Sequence, residues 1–215
     1  MFKLASVFVA TLTLSAAAQA VTIFTANMTN DQEPGGIVPT LSAANGGGLR
    51  PVSFGNATFT LNDARTAMTF SATVFNIDFT GSQTADINDN LTAAHIHAAA
   101  AAGAATFPVV WGFFGAPLND NNPNDVVLTP FANGVGGTIT GKWDAPEGNG
   151  GTTLALQLPN IEAGRAYINF HTTQFGGGEV RGTLLPIPEP ETYALMLAGL
   201  GAVSLVARKR RQKGA

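Results

Sequence analysis

The stretch Ala166-Tyr167-Ile168-Asn169-Phe170-His171 alternates between side chains that favour the protein interior and side chains that are polar. Successive residues of a β-strand point to opposite faces, so Ile168 and Phe170 share one face, and Tyr167, Asn169 and His171 share the other. Alternation with a period of two predicts a half-buried strand. We therefore expect a strand with an apolar side toward the core and a polar row on its other side.

Similar alternation recurs along the chain. It is found in Phe54–Thr60, Ala67–Phe75, Gly137–Trp143, Thr152–Leu158 and Glu179–Leu185, while Val21–Thr29 and Phe107–Phe114 supply two further candidate strands. Short stretches rich in Gly, Asn and Asp separate these runs, and Ala98–Ala105 is interpreted as a loop with room for one helical turn. The pattern predicts an all-β fold, an antiparallel β-sandwich of the immunoglobulin-like or superoxide-dismutase-like type.

The first twenty residues have the pattern of a secretory signal peptide. Lys3 is followed by the apolar stretch Leu4–Ala18 and by the small residues Ala18 and Ala20, which predict cleavage after Ala20. Residues 21–187 then form one domain, since their number suits a single core.

The chain ends in three consecutive signals. They are the turn Pro188, Glu189, Pro190, the uncharged run 192–207, and the basic tail 208–213, which starts with Arg208, Lys209, Arg210 and Arg211. The run predicts a short transmembrane helix, although its sixteen residues fall below the usual range of roughly 17–25. The basic residues act as a membrane stop that stays cytoplasmic, which places residues 21–187 on the far side of the membrane.

Composition excludes several classes of function. The chain has no cysteine, so disulfides and thiolate catalysis are impossible. Residues 21–187 hold five Lys and Arg against twelve Asp and Glu, a net charge of −7 with His neutral. This balance argues against nucleic acid and anionic lipid as partners of the domain, because its charge would repel phosphate groups. The sequence identifies no catalytic residues.

All three histidines lie in two short motifs. His95 and His97 are two residues apart and would share one face of a strand, and His171 belongs to the polar row described above. Neutral imidazoles bind zinc or copper, so the three histidines are candidate ligands of a Zn or Cu ion. In the alternative interpretation, the histidines donate hydrogen bonds to Asn169, Thr172 or Glu179 and join two strands. No cofactor is certain from the sequence.

These motifs resemble those of the CHRD domain, first named in chordin and common in exported bacterial proteins. The matching residues are Ala93-Ala94-His95-Ile96-His97, then Asn169, Phe170, His171 and Thr172, then Gly178, Glu179, Val180, Arg181 and Gly182, with a weaker match over Asn27–Pro34. The resemblance spans about residues 22–185 and implies no enzymatic activity. Copper-zinc superoxide dismutase needs more imidazoles than three, so dismutase activity is not expected.

The C-terminal signals resemble the PEP-CTERM signal of Gram-negative bacteria. That resemblance implies processing by an exosortase, a membrane enzyme, in bacteria that usually make exopolysaccharide. We expect a precursor anchored in the inner membrane through residues 192–207 and a product at the cell surface or in the extracellular matrix.

The function expected from the sequence is non-catalytic. The domain would be a binding or structural module whose partners are exopolysaccharide, matrix proteins or itself. Trp111, Phe113, Phe114 and Trp143 are candidates for stacking on sugars, although burial in the core is the commoner fate of such residues. The alternative is a metal-binding protein or metal-dependent oxidoreductase that uses His95, His97 and His171. Glu179 and Arg181 are expected to form ion pairs near the surface, which contribute little to stability.

Overall fold

The structure is a computed structural model that describes residues 22–37, 39, 48–101, 105–120, 123–188 and 190–213. The predicted signal peptide, with its cleavage residues Ala18 and Ala20, lies outside the described residues, as does Glu189 of the Pro-Glu-Pro turn. These predictions and the predicted domain bounds stay predictions.

Ten strands and two α-helices make up the described fold. The strands are β1 (Thr22–Thr29), β2 (Phe54–Leu61), β3 (Ala67–Phe75), β4 (Leu91–Ala98), β5 (Val109–Phe114), β6 (Val127–Pro130), β7 (Gly136–Asp144), β8 (Ala166–Thr172), β9 (Val180–Thr183) and β10 (Leu185–Pro186), and the helices are α1 (Leu154–Glu162) and α2 (Pro190–Lys213). All pairs of these strands are antiparallel. The predicted antiparallel β architecture is confirmed, whereas the type of sandwich stays a prediction.

The strands belong to one sheet that curls around its own core. Their order is β5-β4-β8-β9-β1-β2-β3-β7-β6, with β10 beside β1. Trp111 of β5 stacks on Trp143 of β7 with ring centroids 5.3 Å apart, although these strands lie near opposite ends of that order. Phe70 of β3 likewise meets Phe113 of β5 at 4.8 Å. The core therefore fills the space that the curled sheet encloses.

The core position of the aromatic residues corrects one expectation. Trp111 and Phe113 are each 2% exposed, Trp143 is fully buried, and Phe114 packs partly buried against the same cluster. Burial of their apolar area stabilises the fold and removes the ring faces of Trp111, Phe113 and Trp143 from the surface. The expected stacking of these three residues on sugars is wrong, whereas that of Phe114 stays a prediction.

The predicted strand Thr152–Leu158 is wrong as well, because this segment begins helix α1. The Oγ1 atom of Thr153 accepts a hydrogen bond from the backbone N–H of Leu156, as the N-cap residue of a helix does. Leu154, Leu158 and Ile161 are buried at spacings of four and three residues, which place them on one helical face. The short run of alternating leucines is compatible with the strand period of two and with the helical period of about 3.6. Packing of the buried helical face against the core favours the helix.

Helix α2 corrects the prediction of a transmembrane helix over 192–207. No helix among the described residues has both the length and the apolar character needed to cross a membrane. Helix α2 contains 24 residues, but its final part is the basic tail. Only the sixteen residues of the run 192–207 are uncharged throughout, which is fewer than the roughly 17–25 that a span requires.

A buried ion pair joins Arg50, in the loop before β2, to Glu179, the residue directly before β9. Both guanidinium nitrogens Nη1 and Nη2 of Arg50 donate to the carboxylate of Glu179, at 2.7 and 2.6 Å. The hydroxyl groups of Ser53 and Thr172 donate to the same carboxylate at 2.7 and 2.5 Å. Glu179 is fully buried, and Arg50 is 4% exposed. The expectation of a surface ion pair at Glu179 is therefore wrong, because the carboxylate is enclosed and saturated by donors.

We predict that Glu179→Gln lowers the free energy of unfolding by about 3–5 kcal/mol, because it leaves the charge of Arg50 buried without its counter-ion. Urea unfolding of the full-length chain measures this loss. Glu162→Gln is the matched control, since Glu162 pairs with Arg65 at 2.7 Å where both side chains are 37% exposed. The control should cost less than about 1 kcal/mol. Equal losses in the two variants would contradict the prediction.

Candidate metal centre

The pairing of β4 with β8 brings the three histidines together. Ile96 lies opposite Ile168 in this antiparallel ladder, and both side chains are fully buried in the core. Since neighbouring residues face opposite ways, His95, His97 and His171 lie on the other side of the same two strands. His95 lies opposite Asn169, and His171 lies opposite Ala93. These two pairs are neighbours on the same face of the ladder, so His171 is diagonal to His95. The predicted shared face is confirmed.

The histidine side chains form a compact cluster. One potential ligand nitrogen from each ring lies within 4.8 Å of the other two. Nδ1 of His95 and Nε2 of His171 are 3.1 Å apart. Two nitrogens bound to one tetrahedral zinc ion, at Zn–N distances of about 2.0–2.1 Å, lie about 3.3 Å apart. The separation of His95 and His171 therefore fits a shared ion, and a ligand nitrogen of His97 lies within 4.8 Å of both.

Backbone carbonyl groups set the tautomers of two of the rings. Nδ1 of His97 lies 2.8 Å from the carbonyl oxygen of Phe107, and Nδ1 of His171 lies 3.0 Å from that of Gly176. A carbonyl oxygen can only accept, so each Nδ1 carries the proton and donates it. The Nε2 atoms of both rings then carry lone pairs, and that of His171 accepts a hydrogen bond from Nδ1–H of His95 at 3.1 Å. A metal ion bound between these two nitrogens would replace that hydrogen bond and its proton. Histidines that bind metals commonly have this arrangement, in which the second ring nitrogen donates to a carbonyl group.

The Nε2 atom of His97 is buried and has no hydrogen-bond partner among the described residues. A buried acceptor without a donor costs free energy, so such an atom in a folded protein calls for an explanation. The ring is held in place by stacking on Tyr167, with centroids 4.7 Å apart and planes 10° from parallel. A metal ion between the three rings would give this lone pair a partner.

The site keeps its histidines uncharged. Burial, followed by the charges of His171 and His97, lowers the pKa of His95 to about 3. Burial also lowers the pKa of His97 to about 4, although the Phe107 carbonyl group opposes the change. The pKa of His171 is lowered by burial in the same way. At neutral pH the cluster thus presents neutral imidazoles, the form that binds a metal.

Two loops cover this face of the sheet. Residues 105–108, before β5, lie over Tyr167, whose hydroxyl oxygen accepts from the N–H of Phe107 at 3.2 Å. Arg181 places its guanidinium 4.6 Å from the centre of the Tyr167 ring and donates to the carbonyl oxygen of Ala105 at 2.9 Å. On the other side, the turn after β8 supplies the Gly176 carbonyl group. The cluster is consequently enclosed, with each histidine 7–9% exposed.

Comparison with known protein families assigns this domain. The CHRD domain family matches residues 24–184, which include both histidine motifs and the loops over them. The chain belongs to the CHRD domain family. Residues 186–211 match the PEP-CTERM protein-sorting motif, so the chain also carries that sorting signal. The two matches support an exported protein that an exosortase sorts. Comparisons with curated proteins and with solved structures found no match.

The structure accounts for most residues of the CHRD motif that begins in β8 and continues into β9. Thr172 and Glu179 belong to the buried Arg50 network. Gly178 has a φ of +126°, and a Cβ atom there would come within 2.5 Å of the Asn169 amide nitrogen and 2.7 Å of Glu33 Oε1. Arg181 holds the covering loop, as described above. None of the hydrogen bonds found for the three histidines goes to Asn169, Thr172 or Glu179, the partners expected if the rings only joined strands.

The CHRD domain buries a further acidic residue near the histidines. Glu33 is 6% exposed, and its Oε1 atom has no partner within the described part of the chain. Burial raises the pKa of Glu33 to about 7, against the attraction of Arg181. Oδ1 of Asn169, on the same strand face as His171, is also buried without a partner there. Two buried oxygen atoms without hydrogen-bond partners, Glu33 Oε1 and Asn169 Oδ1, therefore lie near the histidine cluster.

The sequence motifs identify the histidines but not the residues that support them. Arg50 is isolated in sequence from every motif, and Phe107 and Gly176 act only through their backbone carbonyl groups. A backbone contact leaves no signature in residue type. Glu33 lies inside the weaker CHRD match Asn27–Pro34, and this match is the one sequence feature that draws attention to it. The neighbouring residues do not predict that Glu33 is buried.

We predict that acid destabilises the CHRD domain through its histidines. The pKa of His97 is about 4 in the folded state and about 6.5 in the unfolded state. Above pH 6.5 the ring is neutral in both states and does not change the free energy of unfolding. As the pH falls from about 6.5 toward 4, only the unfolded state takes up the proton, so the free energy of unfolding decreases. For His97 the loss is about 2 kcal/mol between pH 7.5 and pH 5. Urea unfolding of the metal-free full-length chain at both pH values measures it.

His97→Phe keeps a ring to stack on Tyr167 but cannot take up a proton. This variant should therefore lose less stability than the wild-type chain over the same pH interval. A variant with the same acid sensitivity as wild type would show that His97 is not the titrating group.

Proposed function

We propose that this protein is an exported, exosortase-sorted, non-catalytic CHRD protein whose domain binds one divalent transition-metal ion, zinc or copper, through His95, His97 and His171. The observation that carries the proposal is the buried lone pair of His97 Nε2 beside the close pair His95 Nδ1 and His171 Nε2. Three neutral imidazoles form a common ligand set for these ions.

The enclosure of the cluster favours a structural or storage role for the ion. Catalytic metal sites keep one coordination position open to substrate, whereas structural sites are closed by the protein. The histidines are 7–9% exposed beneath loops that include Phe107 and Gly176. An ion at this position would join β4, β8 and the two loops, and so stabilise the polar side of the sheet.

Three ligands also leave a coordination position unassigned, and this feature supports a second candidate function. A metal-dependent oxidoreductase would use that position to bind a small oxidant, with His95, His97 and His171 as its ligands. Turnover of superoxide or peroxide by the copper-loaded chain would favour this alternative and contradict the non-catalytic proposal.

The sorting motif motivates the rest of the proposal. We infer that exosortase processing leaves the CHRD domain at the cell surface or in the extracellular matrix, where exopolysaccharide or matrix proteins are its partners. The motif begins at Pro186, the last residue of β10, and continues into helix α2, which supports a folded module followed by a C-terminal signal.

We predict that the purified full-length chain binds one equivalent of zinc or copper. His97→Phe should weaken metal binding by more than about 100-fold. Loss of a residue that only hydrogen-bonds to a metal ligand lowers metal affinity by about 10–100-fold, and loss of the ligand itself should cost more. Metal content by mass spectrometry and competition with a chromogenic chelator provide the measurement.

Thr92→Ala is the matched control, because Thr92 lies on the same strand but is exposed. It should bind the metal as wild type does. Wild-type protein that takes up neither metal, or a His97→Phe variant with unchanged affinity, would refute the site.

We predict that deleting residues 188–215 moves the protein from the surface and matrix fractions of the producing cells to the soluble fraction. Fractionation with immunodetection measures the distribution. Truncation after Arg211 is the control, since it keeps the matched segment 186–211 intact and should leave the distribution unchanged. An unchanged distribution in the longer deletion would contradict the sorting role.

A further inference from the structure

A polar cavity lies between β5 and the loop that follows β7. Its volume is about 250 Å³, and its lining includes Trp111, Asn119, Asp120, Glu147 and Asn149. None of these residues belongs to the histidine cluster. The cavity is smaller than typical drug-binding sites of about 300–1,000 Å³ and suits a ligand of monosaccharide size or less.

Two side chains that line the cavity have buried polar atoms without partners in the described residues: Glu147 Oε1 and Trp111 Nε1. Glu147 is 7% exposed, and Trp111 is 2% exposed. One is a carboxyl oxygen, and the other is an N–H donor. A folded protein seldom leaves such atoms unpaired, so together they point to a ligand that both donates and accepts.

Both side chains are held firmly in place. The other carboxyl oxygen of Glu147 accepts from the backbone N–H of Asp144 at 2.8 Å, and its backbone carbonyl accepts from the indole N–H of Trp143 at 2.8 Å. The Trp111 ring stacks on Trp143 with planes 3° from parallel. The two unpaired atoms are thus pre-organised, which reduces the cost of binding.

The charge around Glu147 is negative. Burial, together with the charges of Asp120, Asp144 and Asp125, raises the pKa of Glu147 to about 7, against the backbone hydrogen bond from Asp144. Lys142 bridges Asp144 and Asp125 at 2.8 and 3.4 Å on the more exposed side. A positive group beside Glu147 would be attracted by this arrangement of carboxylates.

We propose that this cavity binds a small amino alcohol, up to the size of an amino sugar. Its ammonium group donates to Glu147 Oε1, and a neighbouring hydroxyl oxygen accepts from the indole N–H of Trp111. The ammonium group provides the positive charge that the carboxylates favour, and the hydroxyl group provides the acceptor that a simple cation lacks. A bare metal ion fits less well, because the indole N–H would point its positive end at the ion.

The chain offers a direct readout for this proposal because it contains two tryptophans. A ¹⁵N-correlated NMR spectrum of the full-length chain therefore shows two indole N–H signals, one of which belongs to Trp143 in its hydrogen bond to Glu147. Titration with D-glucosamine should shift the Trp111 signal to saturation. Ethanolamine tests the smaller amino alcohol, and D-glucose tests a neutral sugar of similar size.

We expect glucosamine or ethanolamine to bind and glucose to bind at least about tenfold more weakly, since a hydrogen bond to a charged group is stronger than a neutral one. Glu147→Gln should weaken amine binding by a similar factor, whereas Glu162→Gln, an exposed control, should not. The same spectra report whether each variant is folded. If Glu147→Gln fails to fold, Glu147→Asp keeps the charge but shortens the side chain and should weaken binding instead.

Three results would overturn the proposal. They are no saturable shift of the Trp111 signal with either amine, binding of glucose as tight as that of glucosamine, and unchanged amine affinity in the folded Glu147 variant.

Discussion

The antiparallel register between β4 and β8 is the constraint on which the candidate metal centre and the core both depend. Ile96 faces Ile168 inside the curled sheet, and this pair decides which residues face the other way. A slip of one residue would turn the histidines of β4 into the core and expose the isoleucine. Because both isoleucines are fully buried, the core packing that stabilises the sheet also fixes the position of the histidines.

The domain buries polar groups in two different ways. At Glu179, it pairs a carboxylate with the guanidinium of Arg50 and completes the site with two hydroxyl groups. At the histidine cluster, it buries side chains that can give up their charge, and burial holds their pKa values low. The first arrangement is complete without a ligand. The second leaves a lone pair at His97, which is why we assign binding to the histidines and a structural role to Glu179.

The covering loops connect these two sites. The turn after β8 contributes the Gly176 carbonyl group to His171, and Gln174 of the same turn accepts from Nε of Arg50 at 3.1 Å. Thr172, at the end of β8, donates to Glu179. A change at the buried ion pair should therefore reach the histidines through one short segment. This connection explains in physical terms why the CHRD motif combines histidines with Thr172, Gly178 and Glu179.

The sequence by itself determined the local features: the strands with clear alternation, the common face of His95 and His97, the polar row containing His171, and the two family signals. Each of these features depends on the alternation or the spacing of residue types within a short stretch of the chain. The tertiary structure decided what distant residues do. Packing of Leu154, Leu158 and Ile161 turned an apparent strand into helix α1, and the curled sheet buried Trp111 and Trp143. The fold also brought Arg50 to Glu179 and the carbonyl group of Phe107 to His97. Residue type carries no record of such contacts, because they arise only when segments far apart in the chain share one core.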